Sequence, residues 1–371
     1  MNILHVSAVM NWGGGEMHIE NLCYELSKKE ENINTIILCA KNSLFHERLK
    51  TSKLNFIATP LAFKMDVRYA FKIIEICKKQ KIDIIHIHDP IVLALITIAD
   101  KFYNLPPFVF SKKTSFPIKQ KRLTLFKYNY SKIKKYLCVS DVTKGVLAKS
   151  IVDKHKLVTI YHGTNLDTKS SQTPFNIREK FQLDKSKKIV GIIGNHIDAK
   201  DLPTFINIVN QMVNDNNRKD IVFIQVGSFT ELTESLMTLA KDRNLDDNLK
   251  FLGYQPNASN FIPQFDIMLI TSKSEGIPQA IYESFYHKVP VIATDVGGIS
   301  EIIKDGENGF LIHVKNHSLF CERIEKLLMD HDLSDKFIEI SYRKLISNFT
   351  TEMMANKTLE QYKLIINGHK Y

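Results

Sequence analysis

Two glutamates, Glu275 and Glu283, stand eight residues apart in the run Ser274-Glu275-Gly276-Ile277-Pro278-Gln279-Ala280-Ile281-Tyr282-Glu283. A carboxylate accepts two hydrogen bonds side by side, which is what the diol of a ribose offers. Gly276 lets the backbone turn tightly or come close to a ligand. Pro278 suits the first turn of a helix, where its missing N–H costs nothing. The backbone donors that follow, at Gln279 and Ala280, then make an anion or hydroxyl site. The same residues also fit an ordinary helix start whose glutamates favour the helix dipole. The apolar segment 267–270 precedes the run and places Glu275 in the loop at a strand's carboxyl end. That context favours the chemical reading.

A second loop of this kind is Thr294-Asp295-Val296-Gly297-Gly298, after the apolar residues 291–293. Backbone donors at Gly297 and Gly298 could cradle a diphosphate; a tight turn is the plainer alternative. Lys200 lies six residues beyond Gly194, after Asn195 and His196, and could neutralise charge on a leaving diphosphate. Taken alone it would be a surface lysine. The first half offers Trp12-Gly13-Gly14-Gly15-Glu16 after its first strand pattern. Three glycines before a helix allow backbone to approach a ligand. The dinucleotide fingerprint is not met, because Glu16, Met17 and His18 follow, and this disfavours a dehydrogenase. His86 and His88 end another strand pattern. His88 could be an acid, a base or a sugar contact, and a hydrogen-bonded structural histidine fits as well.

These loops need a scaffold of buried strands. Strand patterns occupy residues 3–6, 35–39, 84–88, 108–110, 137–139 and 157–160 in the first half. The second half has 189–194, 222–226, 250–252, 267–270, 291–293 and 309–312. The runs are β-branched and do not alternate strictly, which suits parallel strands buried on both faces. Helical stretches separate them, so the fold class is α/β with doubly wound sheets. The polar residues 168–173, ending at Pro174, read as a linker. Expected boundaries are residues 1–167 for a first domain, 168–184 for the linker and 185–350 for a second domain. A last helix, within 351–371, could pack on either half. Ligands bind beyond the carboxyl ends of such strands.

The chain of 371 residues is long enough for two cores. Its longest apolar run, 91–99, is far short of the roughly 20 residues that span a bilayer. The opening residues form a strand pattern rather than a charged-then-apolar leader, and none of the five cysteines forms a CxxC pair. We therefore expect a cytoplasmic protein with small buried thiols and no bound metal. Net charge is +10, and its distribution is uneven. Residues 101–140 hold ten basic side chains and no acidic one. Phe116, Phe126, Tyr128, Tyr130 and Tyr136 interleave with them, and Leu123, Phe126, Tyr130 and Ile133 recur at helical spacing. A basic amphipathic face on an anionic membrane and an ordinary helix with an inward apolar stripe both fit; nucleic acid is not an expected partner.

In its motifs the chain resembles the retaining GT-B glycosyltransferases of the glycosyl transferases group 1 family. The resemblance rests on residues 274–283 followed by 289–298. It extends to Gly13-Gly14-Gly15, to Asp83-Ile84-Ile85-His86-Ile87-His88, and to Val139-Ser140. Lys200-Asp201, Leu252-Gly253, Asp266 and Asp305-Gly306-Glu307-Asn308-Gly309 complete it. Any one motif is weak, but their order and spacing over nearly the whole chain are specific.

The resemblance implies two Rossmann-like domains whose parallel sheets face an interdomain cleft. It implies a UDP- or GDP-sugar donor held mainly by the second domain. Glu275 would contact the transferred sugar, Glu283 the ribose and Lys200 the diphosphate. Tyr254 would lie near the base. Gly227, Gly276, Pro278, Gln279, Ala280 and Gly297 would line the donor site, with Gly14 and Gly15 near the diphosphate. The first domain would bind the acceptor, with Glu16 and Lys113 on that side. The family retains anomeric configuration and needs neither metal nor cofactor. Two departures stand out. Many members carry arginine where this chain has Asn195, which shifts phosphate charge onto Lys200 or His196. Many carry histidine where this chain has Lys112-Lys113-Thr114, which makes Lys113 an electrostatic stand-in. The expected function is sugar transfer to a glycan or lipid-linked acceptor in cell-envelope or capsule polysaccharide synthesis. The alternatives are a non-catalytic binding partner on the same fold and a nucleotide-sugar 2-epimerase.

Overall fold

The computed structural model describes residues 1–29, 32–165, 173 and 175–368. The chain forms two compact units. The first comprises Met1–Asn165 together with the segment from Thr350 onward, which carries the last helix; the second ends at Phe349. Residues 168–172 and 174 of the expected linker lie outside the described residues. Its later part carries the short helix Ile177–Lys180, capped by the Asn176 side chain.

Seven strands build the first unit: β1 (Asn2–Ser7), β2 (Asn34–Ala40), β3 (Phe56–Thr59), β4 (Ile84–Ile87), β5 (Phe108–Lys112), β6 (Ile133–Cys138) and β7 (Leu157–Thr159). Their order is β3-β2-β1-β4-β5-β6-β7, and every pairing is parallel. The second unit has β8 (Lys188–Ile193), β9 (Ile221–Val226), β10 (Leu249–Phe251), β11 (Ile267–Ile270), β12 (Val291–Thr294) and β13 (Phe310–Ile312). Its order is β10-β9-β8-β11-β12-β13, again all parallel.

Two differences from the sequence reading have clear causes. The edge strand β3 was not expected, because Phe56, Ile57 and Ala58 are only half-buried and give a weak apolar signal. Strand β6 begins at Ile133, not at 137, because Lys134 and Lys135 sit within it and mask its pattern. The expected stripe therefore splits. Only Arg122–Tyr128 is helical, Leu123 and Phe126 stay exposed, and Tyr130 and Ile133 enter the core.

Successive residues of β1 feed opposite faces of the sheet. Leu4 and Val6 pack under the helices Val67–Gln80 and Pro90–Phe102. Ile3 packs on the other face with Leu22, Leu26 and the C-terminal helix Thr351–Gly368. That helix completes the first core. Tyr362 is fully buried and its hydroxyl meets His86 Nδ1 at 2.6 Å. Thr351 Oγ1 donates to Glu25 Oε1 at 2.7 Å. All five cysteines are buried and unbridged. Burial pushes the Cys39, Cys77 and Cys138 thiols up to about 12, so they act as small apolar side chains. Among the described residues, no helix is long and apolar enough to cross a membrane.

Gly191 shows how tightly the second sheet is covered. A Cβ there would lie 2.2 Å from the ring of Phe265, which is itself buried. Gly191→Ala must displace that ring, and overpacking of this kind costs about 1–3 kcal/mol. Urea denaturation should show a lower midpoint with an unchanged slope. A midpoint equal to that of the parent would mean that the ring moves freely.

Candidate functional site

In each sheet the strand order reverses once, between β1 and β4 and between β8 and β11. Loops leaving the carboxyl ends of two such strands diverge to opposite faces and open a crevice for ligand. Both sets of candidate residues fall at these points.

In the second unit, Lys200 ends the short turn Asp198–Lys200 after β8, and Glu275 follows β11. Lys200 Nζ donates to Glu275 Oε1 at 2.6 Å, and Ser272 Oγ donates to the same oxygen at 2.7 Å. The two side chains are mostly buried. Thr271 Oγ1 donates to the Lys200 carbonyl at 2.9 Å and holds the lysine's backbone against the end of β11. Thr294 Oγ1 donates to the Ser272 carbonyl at 2.6 Å and ties the next loop in. Lys273 is bound elsewhere, to Asp198 at 2.7 Å, and this contact raises its pKa.

Gly297 adopts φ +58°, and a Cβ there would meet the Glu275 carbonyl oxygen at 1.8 Å. Glycine is thus required for the loops after β11 and β12 to close on each other. The Gly298 N–H donates to the Gly276 carbonyl at 2.8 Å, so this donor is spent within the protein and does not cradle a ligand. Pro278 is the N-cap of the helix Gln279–Tyr286 and not its first residue. No side chain caps this helix start. Glu283 lies one turn in and is 6% exposed.

His196 is revised by the structure. Its ring is fully buried, with Nδ1 2.8 Å from Thr233 Oγ1 and Nε2 2.9 Å from Gln225 Oε1. It braces the loop and has no face left for a ligand. Asn195 Oδ1 accepts from the Ser228 N–H at 2.9 Å. A Cβ on Gly227 would lie 2.0 Å from the Gly194 carbonyl, so its glycine serves loop packing. Tyr254 is exposed, after Gly253 at φ +67°. The exposed ring of Phe229 lies against Gly253 and packs at a tilt on His196, with ring centroids 5.0 Å apart. Sequence reasoning missed Phe229, Thr271 and Ser272. The signal for the last two was a polar pair directly after a wholly apolar strand.

In the first unit, Gly13 caps the helix Gly14–Ser27 after β1. Lys113 Nζ donates to the Gly15 carbonyl at 2.7 Å, while Lys112 turns back onto Thr114 and Phe116 of its own loop. Burial lowers Lys113 to about 8 against the raising pull of the Glu16 and Asp89 carboxylates. Burial raises Glu16, against the opposing pull of Lys113. Asp89 is held by N–H groups of Ala8, Ile91 and Val92.

Beneath this loop lies a layer of buried histidines: His5, His18, His86, His88 and His162. His5 Nδ1 lies 3.1 Å from His88 Nε2, and His18 Nδ1 lies 2.8 Å from His162 Nδ1. Ring nitrogens of His5, His86 and His88 come within 4.8 Å of one another, the spacing of a metal site. Both nitrogens of His86 are already committed, to the hydroxyls of Tyr362 and Ser111. His88, for which the sequence leaves a chemical and a hydrogen-bonded structural role both open, is only 6% exposed and belongs to this layer.

Two Rossmann-like units with wholly parallel sheets define the GT-B class of α/β protein. Residues 175–344 match the glycosyl transferases group 1 and residues 12–168 match glycosyltransferase family 4; the chain belongs to the group 1 GT-B glycosyltransferases. It is 30% identical over 146 residues to the N-acetyl-alpha-D-glucosaminyl L-malate synthase of Bacillus anthracis, covering 39% of this chain and 37% of that protein. It is 22% identical to the UDP-Gal:alpha-D-GlcNAc-diphosphoundecaprenol alpha-1,3-galactosyltransferase of Escherichia coli, over 93% of this chain and 92% of that one. Among solved structures, Anabaena HepE in complex with UDP-glucose superposes with a TM-score of 0.84 at 16% identity, over 98% and 99% of the two chains.

The histidine layer makes stability depend on pH. Burial lowers all five rings, His5 and His162 to about 3. The folded state thus binds fewer protons than the unfolded chain, and its stability is full above pH 6.5 and falls below it. Each ring contributes a slope of about 1.4 kcal/mol per pH unit there. The raised carboxyls of Glu16 and Asp89 act in the opposite sense but are two against five. The thermal midpoint should drop markedly between pH 7 and pH 5. A flat profile would show that the rings are already protonated in the fold.

Proposed function

We propose that this protein transfers a sugar from a UDP- or GDP-sugar to a lipid-linked or glycan acceptor, with retention of anomeric configuration, in cell-envelope polysaccharide synthesis. The observation that carries this reading is the Lys200–Glu275 pair, placed where the second sheet's order reverses and beside an uncapped helix start. In the resting protein the lysine is neutralised by the glutamate. A bound diphosphate offers it a stronger partner, and Glu275 is released toward the sugar hydroxyls. Glu283 accepts from the ribose diol, and the rings of Phe229 and Tyr254 flank the base. Two named relatives support the substrate classes. The Escherichia coli protein is named for UDP-Gal and a diphosphoundecaprenol acceptor, and HepE was crystallised with UDP-glucose.

The chemistry breaks the bond from the anomeric carbon to the diphosphate oxygen and forms one to the acceptor oxygen. The acceptor's proton leaves with the diphosphate, on the same face of the sugar. Charge accumulates on the departing diphosphate, so the protein's main task is to stabilise it, and Lys200 is placed for that. The first unit would bind the acceptor, with Lys113 and Glu16 beside the Gly14–Gly15 loop. No resident metal or cofactor is called for, and the reaction would take place at the cytoplasmic side of a membrane.

Transfer of radiolabelled sugar from UDP- and GDP-sugars to a membrane extract tests this. Lys200→Ala and Glu275→Gln should each lower kcat by about 100-fold or more. Lys200→Ala should also weaken UDP binding by calorimetry. Full turnover in both variants would remove these roles. Donor consumed with no acceptor present would point to an epimerase.

A further inference from the structure

We propose that the helix starts on one face of the first unit form a docking surface for an anionic lipid bilayer, built from the loop after β3 as well as from the basic segment. This rests on the lipid-linked acceptor reading and names where that acceptor's membrane would sit.

The steps from β3 to β4, β4 to β5 and β5 to β6 all run in one direction across the sheet. Right-handed crossovers therefore put the helices Val67–Gln80, Pro90–Phe102 and Arg122–Tyr128 on one face. Each starts at the strands' carboxyl ends, the same edge that carries Lys113 and Glu16. The first two helices pack on each other, and Lys127 Nζ, in the last turn of the third, donates to the Pro90 carbonyl at 2.9 Å, so that short helix adjoins the start of the second.

This row is apolar where it should be wet. Phe63, Met65 and Val67 are exposed at the first helix start, and Leu123 and Phe126 along the third helix. Phe63 is 62% exposed and Leu123 82%. The loop before the first helix is itself well built. Its carboxylate, Asp66, is buried, caps the helix and grips Arg68 at 2.7 Å. The apolar side chains are thus held outward by an ordered turn.

The charges around the patch are mostly positive, although Arg68 is paired with Asp66. Lys64 and Arg68 flank the first cluster; Lys119, Lys121 and Arg122 flank the second, and all five are exposed. Asp66 is the one carboxylate in residues 61–68, and residues 101–140 have none. Not every basic residue takes part. Lys112 is folded onto its own loop, and Lys132 is bound to Asp100 at 2.7 Å. Exposed aromatic and aliphatic side chains ringed by cations match the interface of an anionic bilayer, where apolar burial and surface potential add.

Cosedimentation of the full chain with vesicles tests the surface. The protein should partition onto equimolar phosphatidylcholine–phosphatidylglycerol vesicles, far less onto phosphatidylcholine alone, and release in high salt. The pairs Phe63→Ser with Met65→Ser, and Leu123→Ser with Phe126→Ser, should each weaken partition by about tenfold or more. Thermal melts check that the variants fold, and transfer to a water-soluble acceptor should be unchanged. A parent protein that stays in the supernatant, variants that bind like the parent, or retention by single-stranded DNA in place of vesicles would overturn the proposal. Vesicle binding without any sugar transfer would leave the surface standing and remove the transferase reading instead.

Discussion

A single ion pair organises the second unit. Lys200 and Glu275 are 75 residues apart in sequence and meet at 2.6 Å because the two strands that carry them are neighbours at the reversal of the sheet. Around that pair the backbone is pinned by hydroxyls and by closeness. Thr271 fixes the lysine, Thr294 fixes the turn before the glutamate, and Gly297 closes over the glutamate's own carbonyl. The result is a pair of opposite charges, partly buried and held in geometry by neighbouring hydroxyl and backbone groups. Such rigidity lets electrostatic stabilisation work without reorganisation at the moment of reaction.

The first unit uses a different device. Its loop lysine, Lys113, sits above neutral imidazoles and is attracted by Glu16 and Asp89. A layer of charged histidines there would repel it; burial keeps them neutral and leaves one cation facing the glycine loop. The C-terminal helix belongs to this device, since Tyr362 orients His86 from beneath.

Much of this was legible in the sequence because it is local. Buried strands announce themselves as β-branched runs, and glycines and prolines mark the turns after them, so the chemical loops around Glu275, Gly297 and Lys200 could be placed at strand ends. What was not legible depends on partners distant in the chain. The burial of His196 follows from Gln225 and Thr233, and the histidine layer draws on β1, β4 and three other segments. Strand β3 was missed because an edge strand is half wet, and the start of β6 because lysines at a strand's exposed positions look like a helix face. Phe229 had no motif at all. Its place beside Gly253 follows only from the pairing of β9 with β10.

The docking of Thr351–Gly368 on the first sheet also has a consequence for how the protein is made. Domains commonly finish folding in the order in which the ribosome delivers them. Here the residues that seal the N-terminal core, Met354, Leu359 and Tyr362, follow the whole of the second unit in the chain. The second unit is contiguous up to Phe349 and is complete in the chain before them. Its residues are all delivered before the helix Thr351–Gly368, and until that helix is made the N-terminal sheet has an uncovered apolar face.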